Sequence, residues 1–337
     1  MPDSVPALND ASRPAAATGL RVAYRHAPLD ALLADRLLLA VFGFGDAAPP
    51  THPDPRYLHV GLQAHARAPF ECWFVDAEVQ CGRDGGLAWS SGGQLQFGAL
   101  DMADDGDIES AAAAGYARLQ AWLADGAFPH VQRIWNYMDA ITEGEGDDER
   151  YRRFCVGRAR GIGRDLAPGE LPAATAIGHP RRRGRYQLYW LAARDPGTPL
   201  ENPRQTQAWR YPRQYGPQAP GFARAMLPAN ASMPLLLSGT AAVVGHASQH
   251  GDSLAAQLDE TLANLDSLVA TARMQRPGLA ATLGRFSPLK VYVRDADAMP
   301  QVAALLDQRL PADVPRIVLH GQVCRRELAV EIDGVHA

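Results

Sequence analysis

In the closing segment LAVEIDG, strand alternation turns Leu328, Val330 and Ile332 to one face and leaves Glu331 on the other. If that second face lines a cavity, loss of water raises the carboxyl pKa and lets it hold a proton at neutral pH; if it meets solvent, Glu331 is an ordinary surface carboxylate. Seven positions earlier stands Cys324, followed by Arg325 and Arg326. A thiol beside two cations is a candidate for acidification and proton transfer, the alternative being an inert buried thiol. The odd separation puts Cys324 and Glu331 on opposite faces of a continuous strand, so they converge only if QVCRRE bends. Upstream, an Arg- and Tyr-rich stretch from YRRFCVGRARGIG to GFARAM is where ligand contacts are expected.

The elements that must position these residues form an internal repeat of strand, amphipathic helix and strand. In the second copy, PLLLSGTAAVVG is a buried strand that breaks at Ser238 and Gly239. A helix follows from about Asp252, with Leu254, Leu258, Leu262, Leu265 and Val269 on one stripe. LKVYVRD is the next strand, AMPQVAALLDQRL a second helix, and PRIVLHG and LAVEIDGV the closing strands. In the first copy GQLQFGALD, ESAAAAGYARLQAWLAD and HVQRIWNYM play the corresponding parts. The expected organisation is an arm over 1–18, an N-terminal domain over 19–145, an inserted Arg/Tyr-rich segment over 146–230 and a C-terminal domain over 231–337.

Composition excludes several classes. A net charge of -4 over 337 residues provides no general field for a polyanion, and the basic run HPRRRGR reads as a solvated loop, so nucleic acid is not expected. The greasiest stretch, LLADRLLLAVFGFG, is interrupted by Asp35 and Arg36 and too short to cross a bilayer, and the first residues lack a secretory pattern, so a cytoplasmic location is expected. Cys72, Cys81, Cys155 and Cys324 form no C-x-x-C pair. His246, His250 and Asp252 sit at spacings a metal could use but read as hydrogen-bonded loop residues, and neither metal nor cofactor is expected.

Ser238-Gly239, Gln257, Asn264, Pro315-Arg316 and Val330-Glu331-Ile332 together resemble the RidA (YjgF) family. Over nearly the full length, the blocks RIWNYM, ERYRRFCVGRARGI, LSGTAAVVGH and VCRRELAVEI resemble the chorismatases, RidA-like enzymes with a fused amino-terminal half. The resemblance implies an α/β (α+β) fold of two RidA-like, chorismate-mutase-like modules, with mixed sheets packed by helices in a pseudo-trimeric, barrel-like arrangement. Cys324 paired with Glu331 resembles the branch that forms hydroxybenzoates. The likeness is strongest to the bifunctional synthases supplying 3-hydroxybenzoate for xanthomonadin-type pigment and 4-hydroxybenzoate for ubiquinone.

The implied substrate, chorismate, is a dicarboxylate with an acid-labile enol ether. It calls for cationic clamps and a proton donor. Arg158, Arg210 and Arg316 are the candidate clamps, Tyr151, Tyr211 and Tyr215 candidate ring contacts, and Ala241 resembles a small residue that shapes the family's pocket. Glu331 is expected to protonate the enolpyruvyl methylene and Cys324 to handle a proton as the ring becomes aromatic. The site is expected between the halves, in a monomer or small homo-oligomer. Hydrolysis to a dihydroxycyclohexadiene carboxylate, RidA-type imine deamination and ligand sensing without turnover are the competing functions.

Overall fold

The computed structural model describes residues 19–180 and 184–337. The arm expected over 1–18, and the centre of the basic run at 181–183, lie outside the described residues.

Three modules follow one another. The first comprises strands β1 (Arg21–Arg25), β2 (Leu38–Phe44), β3 (Tyr57–Val60) and β4 (Phe70–Phe74), with the short helix α1 (Leu29–Leu33) after β1. The second runs β5 (Gln80–Asp84), β6 (Leu87–Gly92), β7 (Leu95–Ala103), α2 (Ile108–Ala124), β8 (His130–Asp139), α3 (Arg150–Ile162), β9 (Ala173–His179) and β10 (Arg185–Ala193). The third runs β11 (Thr198–Leu200), β12 (Ala225–Leu227), β13 (Leu235–Ala241), the hairpin β14 (Val243–Val244) and β15 (Ala247–Ser248), then α4 (Leu254–Gln275), β16 (Leu289–Val293), α5 (Met299–Arg309), β17 (Arg316–His320) and β18 (Val330–His336).

The sheet orders β5-β6-β7-β10-β8-β9 and β11-β12-β13-β18-β16-β17 are the same topology, each with a single parallel pair, β8 with β9 and β16 with β17. The expected repeat is thus present, and it is longer than the sequence indicates. Segment 146–230 is not one insertion: α3, β9 and β10 complete the second module, and the extra chain is the loop 201–224 between β11 and β12. The first sheet, β1-β4-β2-β3 with β2 and β3 parallel, repeats the order β7-β10-β8-β9 and is a third, truncated copy. Its first helix is reduced to α1, and none joins β2 to β3.

The inner faces of the three sheets share one core, in which Phe42 and Trp73, Phe97, Trp135 and Tyr189, and Tyr292 and Leu319 meet from the three modules in turn. Helices cover the outer faces, α2 and α3 over the second sheet, α4 and α5 over the third. Short backbone bridges tie the edges: His320 N–H to Gln63 O at 2.7 Å, and Gly178 N–H to Gln322 O at 2.7 Å. The sheets remain separate ladders, so this is a threefold-like packing of mixed sheets and not a closed barrel.

Helix α4 starts where Ser253 Oγ accepts the Ala256 N–H. Its stripe buries Leu258, Leu265 and Val269 as expected, with Leu254 and Leu262 at the margin. Gln257 and Asn264 lie on the buried face as well. Of the cysteines, Cys72 is buried, whereas Cys81 is exposed on β5. No helix among the described residues is long and apolar enough to cross a membrane.

Candidate active site

Strands β9 and β13 meet where the second and third modules join. Ser238 Oγ accepts the Ala174 N–H at 2.9 Å, and Thr175 Oγ1 accepts the Gly239 N–H at 3.0 Å. Beside this seam lies a cavity of about 550 Å³, walled by α3, β9, β13, the loop 201–224, the turn 322–328 and β18. No residue of the first module lines it.

Glu331 stands on β18 in register with Ala241 of β13 on one side and Tyr292 of β16 on the other. Val330 and Ile332 pack under α4, so alternation sends the Glu331 side chain to the opposite face, as expected. That face is the cavity, and Glu331 is 5% exposed. Burial pushes its carboxyl up to about 8, with the neighbouring Asp333 carboxylate adding to the effect and Arg133, Arg224 and Arg294 opposing it. It is a neutral acid at pH 7.

Cys324 also lines the cavity because the chain turns between β17 and β18. Polar side chains of the third module hold that turn. Gln257 Nε2 donates to Glu327 O at 2.8 Å, its Oε1 accepts the Ala329 N–H at 2.8 Å, and Arg294 Nε donates to Leu328 O at 2.8 Å. Asn264 does the same for the opposite wall, donating to Ala241 O and Val243 O at 3.0 Å. The expectation of an acidified thiol is not met. Burial, then the Glu331 charge, push Cys324 up to about 12, and Arg325 and Arg294 offset only part of this. Arg325 is turned to His246 O and Ser248 Oγ, and Arg326 to Thr142 O and Glu145. The group is a neutral thiol.

Helix α3 presents Tyr151, Cys155 and Arg158 at four- and three-residue steps along one cavity-facing stripe. Gly157 lets α3 lie directly on α2, since a β-carbon there would overlap the Glu109 carbonyl. Arg158 is 6% exposed, and its Nε and Nη2 have no hydrogen-bond partner in the protein. From the loop 201–224 come Tyr211 and Tyr215, with ring centroids 5.2 Å apart and the Arg325 guanidinium 4.1 Å from the Tyr215 centroid. Tyr215 also shares a 3.2 Å hydrogen bond with His246, one of the histidines weighed as a metal ligand; His250 faces Glu260.

Two expected clamps are elsewhere. Arg316 opens β17 on the far side of the third sheet, bonded to Val314 O and Asp307, and Arg210 packs 5.8 Å from the centroid of its neighbour Trp209; neither lines the cavity. The spacing from Arg316 to Glu331 is kept, but the strand carries the arginine away from this seam.

The second buried arginine of the cavity is Arg224, just before β12. It is 5% exposed, donates to Thr206 O at 2.9 Å and Tyr211 Oη at 2.6 Å, and its Nε is unpartnered. Gln205, whose Oε1 is likewise unpartnered, and Thr175 also line the cavity. Thr175 and Gln205 carry no sequence signal. Arg224 carried one, a lone charge between Ala223 and Ala225 in a segment that reads as strand.

The chamber therefore holds two buried guanidiniums with spare N–H groups, a neutral carboxyl, a thiol and an aromatic wall, a set suited to an anionic ring compound. The family described as chorismatase FkbO/Hyg5-like, N-terminal, matches residues 71–192. A 3-hydroxybenzoate synthase of Streptomyces hygroscopicus is 34% identical over 289 residues, 82% of this chain and 84% of the relative. A chorismatase of Streptomyces rapamycinicus is 34% identical over 275 residues, 79% of this chain and 82% of the relative. A crystal structure of a chorismatase superposes with a TM-score of 0.84 at 28% identity, over 95% of this chain and 99% of that one. With a relative above 30% identity along most of both chains and the same fold throughout, the chain belongs to the chorismatase family.

Proposed function

We propose that the protein releases pyruvate from chorismate and leaves the ring as 3-hydroxybenzoate, 4-hydroxybenzoate or both. The observation that carries this is a carboxyl held neutral by burial in the same cavity as two buried arginines with unpartnered N–H groups. A dicarboxylate satisfies both arginines, Arg158 and Arg224, and the enol ether then lies against Glu331.

Glu331 gives its proton to the enolpyruvyl methylene. The bond between the ring carbon and the ether oxygen breaks, that oxygen leaves as the keto group of pyruvate, and the ring is left electron-poor. Loss of the proton on the hydroxyl-bearing carbon then gives 4-hydroxybenzoate; for 3-hydroxybenzoate the hydroxyl oxygen first shifts to the vacated carbon, through an epoxide, and that carbon loses its proton instead. In both cases no water is consumed, and one proton is given and one returned. Cys324, half-buried near Glu331, relays the returning proton, taking one from the ring as it hands its own to the Glu331 carboxylate. As a neutral thiol it also keeps water from adding to the electron-poor ring. Tyr151, Tyr211 and Tyr215 contact the ring, and Ala241 leaves room for it beside Glu331.

The test is incubation of the purified protein with chorismate, following pyruvate and aromatic acids by chromatography. Pyruvate with a hydroxybenzoate, lost in Glu331→Gln, supports the reaction. Absence of pyruvate from the unaltered protein overturns it.

A further inference from the structure

Behind the cavity wall lies a cluster of charges that does not line the cavity: Glu71 of β4, Arg133 of β8, and Lys290 and Asp333 facing each other across β16 and β18. All four side chains are at least nine-tenths buried, Arg133 and Asp333 completely. Lys290 Nζ lies 3.2 Å from Glu71 Oε2 and 3.7 Å from Asp333 Oδ1; Arg133 Nη2 lies 3.3 Å from Asp333 Oδ2. Asp333 Oδ2 also accepts from Trp135 Nε1 at 3.0 Å, Tyr292 Oη at 3.0 Å and Thr175 Oγ1 at 2.9 Å. Each module contributes, and Thr175 is the one member that reaches the cavity.

Burying four charges stabilises little, because well-packed apolar side chains of similar volume would do as well. The placement suggests another use. Asp333 is two residues from Glu331 and therefore on the same face of β18. Two anions and two cations sum to zero, so the cluster itself offers an ionised Glu331 no net positive charge.

Resting on the assignment of Glu331 as proton donor, we infer that this cluster, through Asp333, reinforces burial in keeping Glu331 protonated. Asp333 is the positioning residue whose negative charge stands beside it, and Glu71 is the counter-charge that stops Lys290 from cancelling Asp333. The other groups around Glu331 act differently. Arg133, Arg224 and Arg294 favour its ionised form, while Cys324, Tyr151 and Tyr292 stay neutral at physiological pH. A bound dicarboxylate occupies Arg224 and removes one of the opposing cations, strengthening the hold on the proton when the substrate is present.

The experiment titrates the carboxyl infrared band of Glu331 in the unliganded protein, isolated by subtracting Glu331→Gln, in parent, Asp333→Asn and Glu71→Gln. The expected midpoint falls by roughly one pH unit or more in Asp333→Asn and by less in Glu71→Gln. The alkaline limb of kcat/KM moves with it, which a purely structural role would not produce. Unmoved midpoints in the folded variants overturn the inference. If Asp333→Asn does not fold, an unmoved midpoint in Glu71→Gln suffices. Because the band is read without turnover, a parent protein inactive on chorismate refutes the proposed reaction and leaves this result to be decided separately.

Discussion

Gly239 lies so close to the carboxyl of Glu331 that a β-carbon at position 239 would overlap Oε1. The glycine is thus a matter of space. Gly239→Ala is expected to displace the carboxyl from the cavity and lower kcat/KM at least about a hundredfold, with a stability loss of about 1–3 kcal/mol from overpacking. Steady-state kinetics beside thermal unfolding will separate the two effects. A variant as active as the parent would remove Glu331 from the chemistry.

The raised Glu331 pKa also links to stability. An acid whose folded pKa lies above its unfolded value of about 4.5 contributes fully below that value. The contribution is lost as pH rises to its folded value of about 8. Glu331→Gln has no carboxyl to ionise in the unfolded chain and so escapes this loss. The variant should match the parent in denaturant unfolding near pH 4 and exceed it near pH 9 by on the order of a few kcal/mol.

For the same reason kcat/KM of the parent should be level below about pH 8 and decline tenfold per unit above it, because only the protonated acid can donate. A rate that rises through this range would mean that Glu331 acts as a base.

Arg158 and Arg224, the two buried arginines of the cavity, are the proposed clamps. Arg158→Met or Arg224→Met should lower kcat/KM by about two to three orders of magnitude. Arg210→Ala and Arg316→Ala, at positions away from the cavity, should stay within about threefold of the parent. The reverse pattern would place the substrate outside this chamber.

Cys324→Ala opens space beside Glu331 and removes the thiol relay. Pyruvate release should continue at a reduced rate while hydroxybenzoate gives way partly to a dihydroxycyclohexadiene carboxylate, in which water has captured the ring. Chromatography of the ring products reads this directly, and an unchanged product ratio would confine Cys324 to packing.

Much of this was legible in the residues. The stripe on α4 and the alternation around Glu331 are periodic signals, and both lead to the right faces. Helix α3 carries no repeat signal in its sequence because RYRRFCVGRARGI turns arginines to solvent and to the cavity, and only Phe154, Cys155, Gly157 and Arg158 are buried. The first module is silent in sequence for a related reason: with α1 cut to a single short helix, no amphipathic stripe marks it. Arg224 and Arg316 show what spacing cannot convey. Each is one charge beside a strand, and only the register of the sheets determines which one reaches the seam.

The truncation of the first module has a consequence for how this enzyme can change. A ring of three identical subunits would carry every substitution in all of its clefts at once. Here the copies are joined in one chain and have drifted apart, so a single codon alters the working pocket alone. The remaining joints are free to be selected for rigidity, and the catalytic one for its choice of product.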